Sequence, residues 1–174
     1  SATSLPKVNR INRFLPEKIS EWPELPDNAK IAVLLGVHRT FSATESEMLE
    51  HFVETHDAVV FSDISSGYHG KFAFGSALAC IQLQNNPIRS AFEPDLVIHV
   101  GEMTGDYNTM GFLTGLNCPV WRVSLDGEFR QHFARLENVF QCSIEFFFSH
   151  YASNKHVESG YRTKWENYDI QLRK

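Results

Sequence analysis

What this chain lacks narrows it before any motif does. No apolar run approaches the roughly 20 residues that a helix needs to cross a bilayer. The longest, such as Ile31–Leu35 and Phe146–Phe148, are a few residues each, so no membrane span is expected. Basic clusters are missing too. Lys and Arg total 16 against 21 Asp and Glu, a net charge of −5, which argues against a nucleic-acid partner because phosphate binding needs clustered cations. Metal-ligand spacings such as HxH or HExxH do not occur among the eight histidines, and the three cysteines, Cys80, Cys118 and Cys142, form no CxxC. An odd count at wide spacing predicts reduced, buried thiols in a cytoplasmic protein. The N-terminus Ser1-Ala2-Thr3 has neither the basic start nor the apolar segment of a secretory signal. It also lacks an initiator Met, which suits a piece of a longer protein, although Met removal gives the same start.

What is present is a globular composition, 43% hydrophobic and 21% charged over 174 residues, enough to bury one core. Residues 1–28 hold four of the seven prolines and little periodicity, and read as a Pro-rich linker lying on the surface, with a short helix around Glu17–Glu21. From residue 29 the pattern alternates. Ile31–Leu35, Ala58–Phe61, Leu96–Val100 and Pro119–Val123 are continuous apolar runs of the kind that form strands buried on both faces, and Asn138–Gln141 is a shorter fifth. Between them fall helical patterns: one capped by Ser42 with Glu45 three residues on, then Ser76–Gln84, Thr109–Leu116 and Ser143–Tyr151. Residues 153–174 read as a charged helical segment leading out of the domain. Apolar strands alternating with helices predict an α/β fold: an open, doubly wound, mainly parallel Rossmann-like sheet of five or six strands with helices on both faces, over residues 29–152.

In such sheets ligands bind beyond the strand carboxyl ends, near the switch in strand order, which places the loops of interest at Gly36–Phe41, Ser62–Gly70, Gly101–Asn108 and Ser124–Gly127. Two of them carry the candidate residues. In Gly36–Ser42, His38 and Arg39 stand before a helix N-terminus, where free N–H groups favour an anion; alternatively Ser42 caps the helix and Arg39 pairs with an acidic neighbour. In Gly101–Asn108, two glycines and the polar Thr104, Asp106, Tyr107 and Asn108 suit a ligand contact, or else simply turn the chain and cap the next helix. Neither loop has the three glycines of a dinucleotide fingerprint, and no Walker A sequence occurs, so nucleotide binding is disfavoured. His99, inside a strand, reads as a satisfied core histidine. Ser65, Ser66 and His69 have no GxSxG around them, and their nearness is expected to be chance. Phe146–Phe148 read as core and domain-interface packing.

Four stretches carry a resemblance to a known family: Ile31–His38, Pro94–Gly101, Thr104-Gly105 and Trp121–Glu128. Together they resemble the central domain of thiamine-diphosphate-dependent enzymes, most of all the menaquinone-pathway synthases that join 2-oxoglutarate to isochorismate. The resemblance implies a non-catalytic middle domain that supports the assembly and lends residues to an active-site rim, for which His38, Arg39, Thr104, Asp106, Tyr107 and Asn108 are the candidates. It implies no cofactor held by this domain alone. Thiamine diphosphate and Mg2+ would be held in the parent by N- and C-terminal domains of the same chain, within a homodimer or homotetramer that decarboxylates a 2-oxo acid. The synthases follow the threonine-glycine step with basic residues, whereas here Asp106-Tyr107 follow, which would repel a carboxylate and points to a different substrate. Two other readings stand beside this one: a free-standing small-molecule or nucleotide-sugar binding module, and an NAD-dependent deacylase-like domain, whose nucleotide loop and catalytic histidine motif are not seen.

Overall fold

The computed structural model describes residues 10–130, 132–133, 135–152 and 156–174. Its core is a six-stranded, all-parallel sheet in the order β1-β6-β5-β4-β2-β3. The strands are β1 (Asn12–Phe14), β2 (Ile31–Leu35), β3 (Val59–Ser62), β4 (Leu96–Val100), β5 (Val120–Ser124) and β6 (Leu136–Gln141). The helices are α1 (Ala43–His56), α2 (Ala77–Leu83), α3 (Tyr107–Thr114), α4 (Ile144–Tyr151) and α5 (Tyr161–Leu172). This is the doubly wound α/β arrangement that the apolar runs predict.

The runs are continuous because each strand has a helical layer on both faces. Ile31, Val33 and Leu35 of β2 pack with Leu49, Phe52 and Val53 of α1 and with Phe147 and Phe148 of α4. Ala32 and Leu34, pointing the other way, join Cys80 and Leu83 of α2, Phe112 and Leu113 of α3, and Tyr161 and Trp165 of α5. Ser42 and Glu45 form the anticipated capping box at the start of α1, and Asp57 ends the helix in a left-handed conformation (φ 50°).

Both flanks of the 29–152 region are built into this frame. Asn12–Phe14, in the Pro-rich leading segment, pairs in parallel with Asn138–Phe140 as the edge strand, and Trp22 is buried against Phe140, Phe147 and Tyr151. At the other end α5 is held by Trp165, which has no exposed surface and is packed edge-on by Phe61, Phe92 and Phe112. The Tyr161 hydroxyl donates to the Phe92 carbonyl at 2.8 Å. Of Phe146–Phe148, the second and third are fully buried core and the first is partly exposed. Cys80, Cys118 and Cys142 are free, buried thiols. No helix among the described residues is long and apolar enough to cross a membrane.

Candidate functional site

The chain leaves β2 toward α1 on one face, and β4 toward α3 on the other, so the strand order switches between β2 and β4. A cleft of about 350 Å3 opens there, beyond the carboxyl ends of β2, β4, β5 and β6. Its floor is apolar (Val100, Val123, Cys142, Ile144). Its rim is charged, with His38, Arg39 and Glu45 on one side and Glu102, Arg122 and Asp126 on the other.

Gly36 and Gly101 are needed by the chain itself. Just past the strands, Val37 and Glu102 exchange backbone hydrogen bonds at 2.9 and 3.1 Å, pulling the two loops together. A Cβ on Gly36 would lie 1.6 Å from the Glu102 carbonyl oxygen, and Gly101 adopts φ +83°, a conformation that favours glycine. The backbone these glycines allow to approach is that of the neighbouring loop.

The six residues singled out from the sequence divide into two groups. His38 and Arg39 line the cleft; Thr104, Asp106, Tyr107 and Asn108 do not. Arg39 grips the buried carboxylate of Glu45 with both terminal nitrogens, at 2.8 and 2.5 Å, while Glu45 accepts from the Ser42 N–H at 2.7 Å. Burial pushes Glu45 upward, but the bonds from Arg39 and Ser42 outweigh it and hold the carboxyl below its usual range. The α1 N-terminus thus has its own anion. His38 stacks edge-on against Phe41, with Nδ1 2.8 Å from the Arg39 carbonyl.

The second group builds the turn into α3. Asp106 caps the helix, accepting from the N–H groups of Asn108 and Thr109 at 3.1 Å each. The Thr104 hydroxyl donates to Asp63 and accepts from the Asp106 N–H. Tyr107 is 86% exposed. Asp63 also takes the N–H and hydroxyl of Ser65, and Ser66 donates to the Asp63 carbonyl, while His69 is exposed and bonded to neither serine in the described contacts. The two carboxylates Asp63 and Asp106 therefore have their oxygens engaged by local donors, and no cluster of three metal-ligating side chains occurs among the described residues. Among the described residues these carboxylates do not form a ligand set for a magnesium diphosphate group. The thiols are equally unsuited to nucleophilic work, since burial pushes Cys142, at the cleft floor, up to about 12.

Arg122 is the residue the sequence reading missed. It sits in mid-β5, opposite His99 of β4, on the α2/α3/α5 side of the sheet, and is 1% exposed. Its closest partner is the Gly101 carbonyl at 2.8 Å; Glu102 lies at 3.4 Å and is held more closely by Arg130. Arg130 in turn reaches Asp126 and Glu128, which ties the β5–β6 loop across the strand ends. Burial lowers the Arg122 pKa from its ordinary value, and its Nε has no hydrogen-bond partner among the described residues. His99 is the core histidine expected, but it is only partly satisfied: Nδ1 lies 3.4 Å from Arg122, and Nε2 is buried without a partner among the described residues. The adjacent guanidinium also precludes a second cation there, and burial together with Arg122 pushes His99 down to about 3. Sequence alone gave no sign of the pair, because only the β4–β5 register places 99 beside 122.

No known protein-family model matches this chain, and no curated protein matches it in sequence.

Proposed function

We propose that this chain is a non-catalytic Rossmann-like domain that works against other domains of a thiamine-diphosphate-dependent enzyme, its strand carboxyl edge forming part of the rim of the active site. One observation carries the reading. The loops at that edge present Val37 after β2, Ile64 after β3, Tyr107 at the start of α3, and Leu125 and Phe129 after β5, all exposed, with Ile64 at 95% and Leu125 at 72%. Scattered apolar side chains are ordinary on a protein surface, and seven other exposed ones lie elsewhere among the described residues, but the three most exposed, Ile64, Tyr107 and Leu125, share this edge, which favours an interaction face there. The carboxylates nearby are committed to capping and turns and the Cys142 thiol is held protonated by burial, which favours a supporting role over independent chemistry. The resemblance of Ile31–His38, Pro94–Gly101, Thr104-Gly105 and Trp121–Glu128 to the central domain of these enzymes supplies the identity of the neighbours.

The test uses the natural reading frame that contains this chain. Ile64→Glu in that protein is expected to lower thiamine-diphosphate-dependent turnover of a 2-oxo acid by at least tenfold, while the same substitution leaves the melting temperature of the isolated chain within about 2 °C, as for an exposed position. Unchanged turnover in the variant would contradict the proposed docking edge.

A further inference from the structure

One lateral face of the molecule carries no charge. The sequence has no charged residue and no histidine from 72 to 88 or from 107 to 121, although 21% of the chain is charged. Those two stretches supply α2 and α3, which pack side by side. The Ser76 and Thr109 hydroxyls, 2.7 Å apart, tie their amino ends together, and the Gln84 side-chain amide lies against Gly111. A surface helix normally turns charged residues outward. Helix α1 does so with Glu47 and Glu54, but α2 turns out Leu78 and Ile81, three residues apart and so on one face. Ile88 is exposed in the single helical turn that follows, Pro87–Ala91, and Gln82, Gln84 and Asn85 are exposed between them. The charges bordering this face are matched locally: Arg89 pairs with Glu93 at 2.9 Å, Arg173 with Asp169 at 2.6 Å, and Asp106 caps α3.

We propose that the α2/α3 face binds a second copy of this chain in a two-fold symmetric contact. Two arguments select that partner. Each copy has a net charge of −5, so two copies repel one another unless they meet through a surface that carries no charge. A charged partner finds nothing to pair with there, and the centres of protein interfaces are depleted in charged residues. In a two-fold contact one patch faces its own copy, so it must be complementary to itself. Leu78, Ile81 and Ile88 meet that condition as apolar groups, and the amides of Gln82, Gln84 and Asn85 meet it because each both donates and accepts. Helices α2 and α3 have only seven and eight residues, so the contact is small and belongs with transient, concentration-dependent dimers rather than obligate ones. The contact does not rest on the thiamine-diphosphate reading, and it uses none of the side chains named for the carboxyl edge.

Sedimentation equilibrium of the isolated chain, from about 1 to 500 μM, provides the test. The mass is expected to rise from the monomer value of 19.9 kDa toward twice that value across this range. Raising NaCl from about 0.05 to 0.5 M should strengthen the association, because salt screens the repulsion between the two copies and the contact has no ion pairs to lose. Ile81→Glu should weaken dimerisation at least tenfold while leaving the melting temperature within about 2 °C, as for an exposed position. Ile64→Glu, at the carboxyl edge, should leave the dimer constant within about twofold, as for a position outside the contact. A chain that stays monomeric throughout, a dimer that salt weakens, or a dimer that Ile81→Glu spares or Ile64→Glu disrupts overturns the proposal.

Discussion

At the scale of single residues, the chain buries a histidine and an arginine among the central strands of its sheet. His99 and Arg122 lie side by side on adjacent strands, and His99 stacks edge-on with Phe133. A histidine whose folded pKa is lowered stays neutral in the native state, while the unfolded chain takes up its proton near the ordinary value of about 6.5. Its contribution to stability is therefore intact above that pH and is lost as pH falls through the window from about 6.5 toward about 3. Urea unfolding between pH 6 and pH 4.5 should show wild-type stability falling faster than that of His99→Leu, by up to about 1.4 kcal/mol per pH unit. His56 and His150 are also lowered by burial, but they titrate in both proteins and cancel in the comparison. Parallel slopes would mean that His99 is not the buried neutral base described. The location of His99 in the core was legible from its strand; its missing partner was not, because a neighbour across strands is a property of register.

At the scale of elements, strength of pattern decided what could be read. The four apolar strand runs and the capping box of α1 stand out because burial on both faces and a fixed cap leave unmistakable residue choices. β1 was not legible, since three residues, Asn12-Arg13-Phe14, carry no period and become a strand only by pairing with the exposed edge of β6. The packing of α5 was hidden for another reason. Its residues are mostly polar, and only Tyr161 and Trp165, at i and i+4, are buried; two anchors in a charged helix resemble a solvated segment. Those anchors have a measurable consequence. Trp165→Ala should cost about 3–5 kcal/mol in chemical denaturation, the usual range for emptying an aromatic core position. A cost below about 1 kcal/mol would mean that α5 is docked rather than built in. In the candidate site, His38 and Arg39 were found from their place before a helix, whereas the cleft they share with Glu102, Arg122 and Asp126 depends on loops brought together by the Val37–Glu102 contact.

At the scale of the whole molecule, the two ends of the sheet differ. The amino ends of the strands carry the segments that enter them, such as Lys30, whose N–H is bonded to Asp95. The carboxyl ends gather a cleft, a network of arginines and carboxylates, and the exposed apolar side chains of four loops. A parallel sheet concentrates everything of interest at that edge because every crossover returns the chain to the same end. In this chain the capping and turn residues there bond to one another: Asp106 caps α3 and Arg39 pairs with Glu45.

The central claim is that this domain supports a thiamine-diphosphate enzyme without holding the cofactor. Calorimetric titration of thiamine diphosphate with Mg2+, run on the isolated chain and on the full natural reading frame, tests it most directly. The account predicts one site per chain in the full protein and no saturable heat with the isolated domain. Stoichiometric binding by the isolated domain, or a full-length protein that binds none, would contradict it.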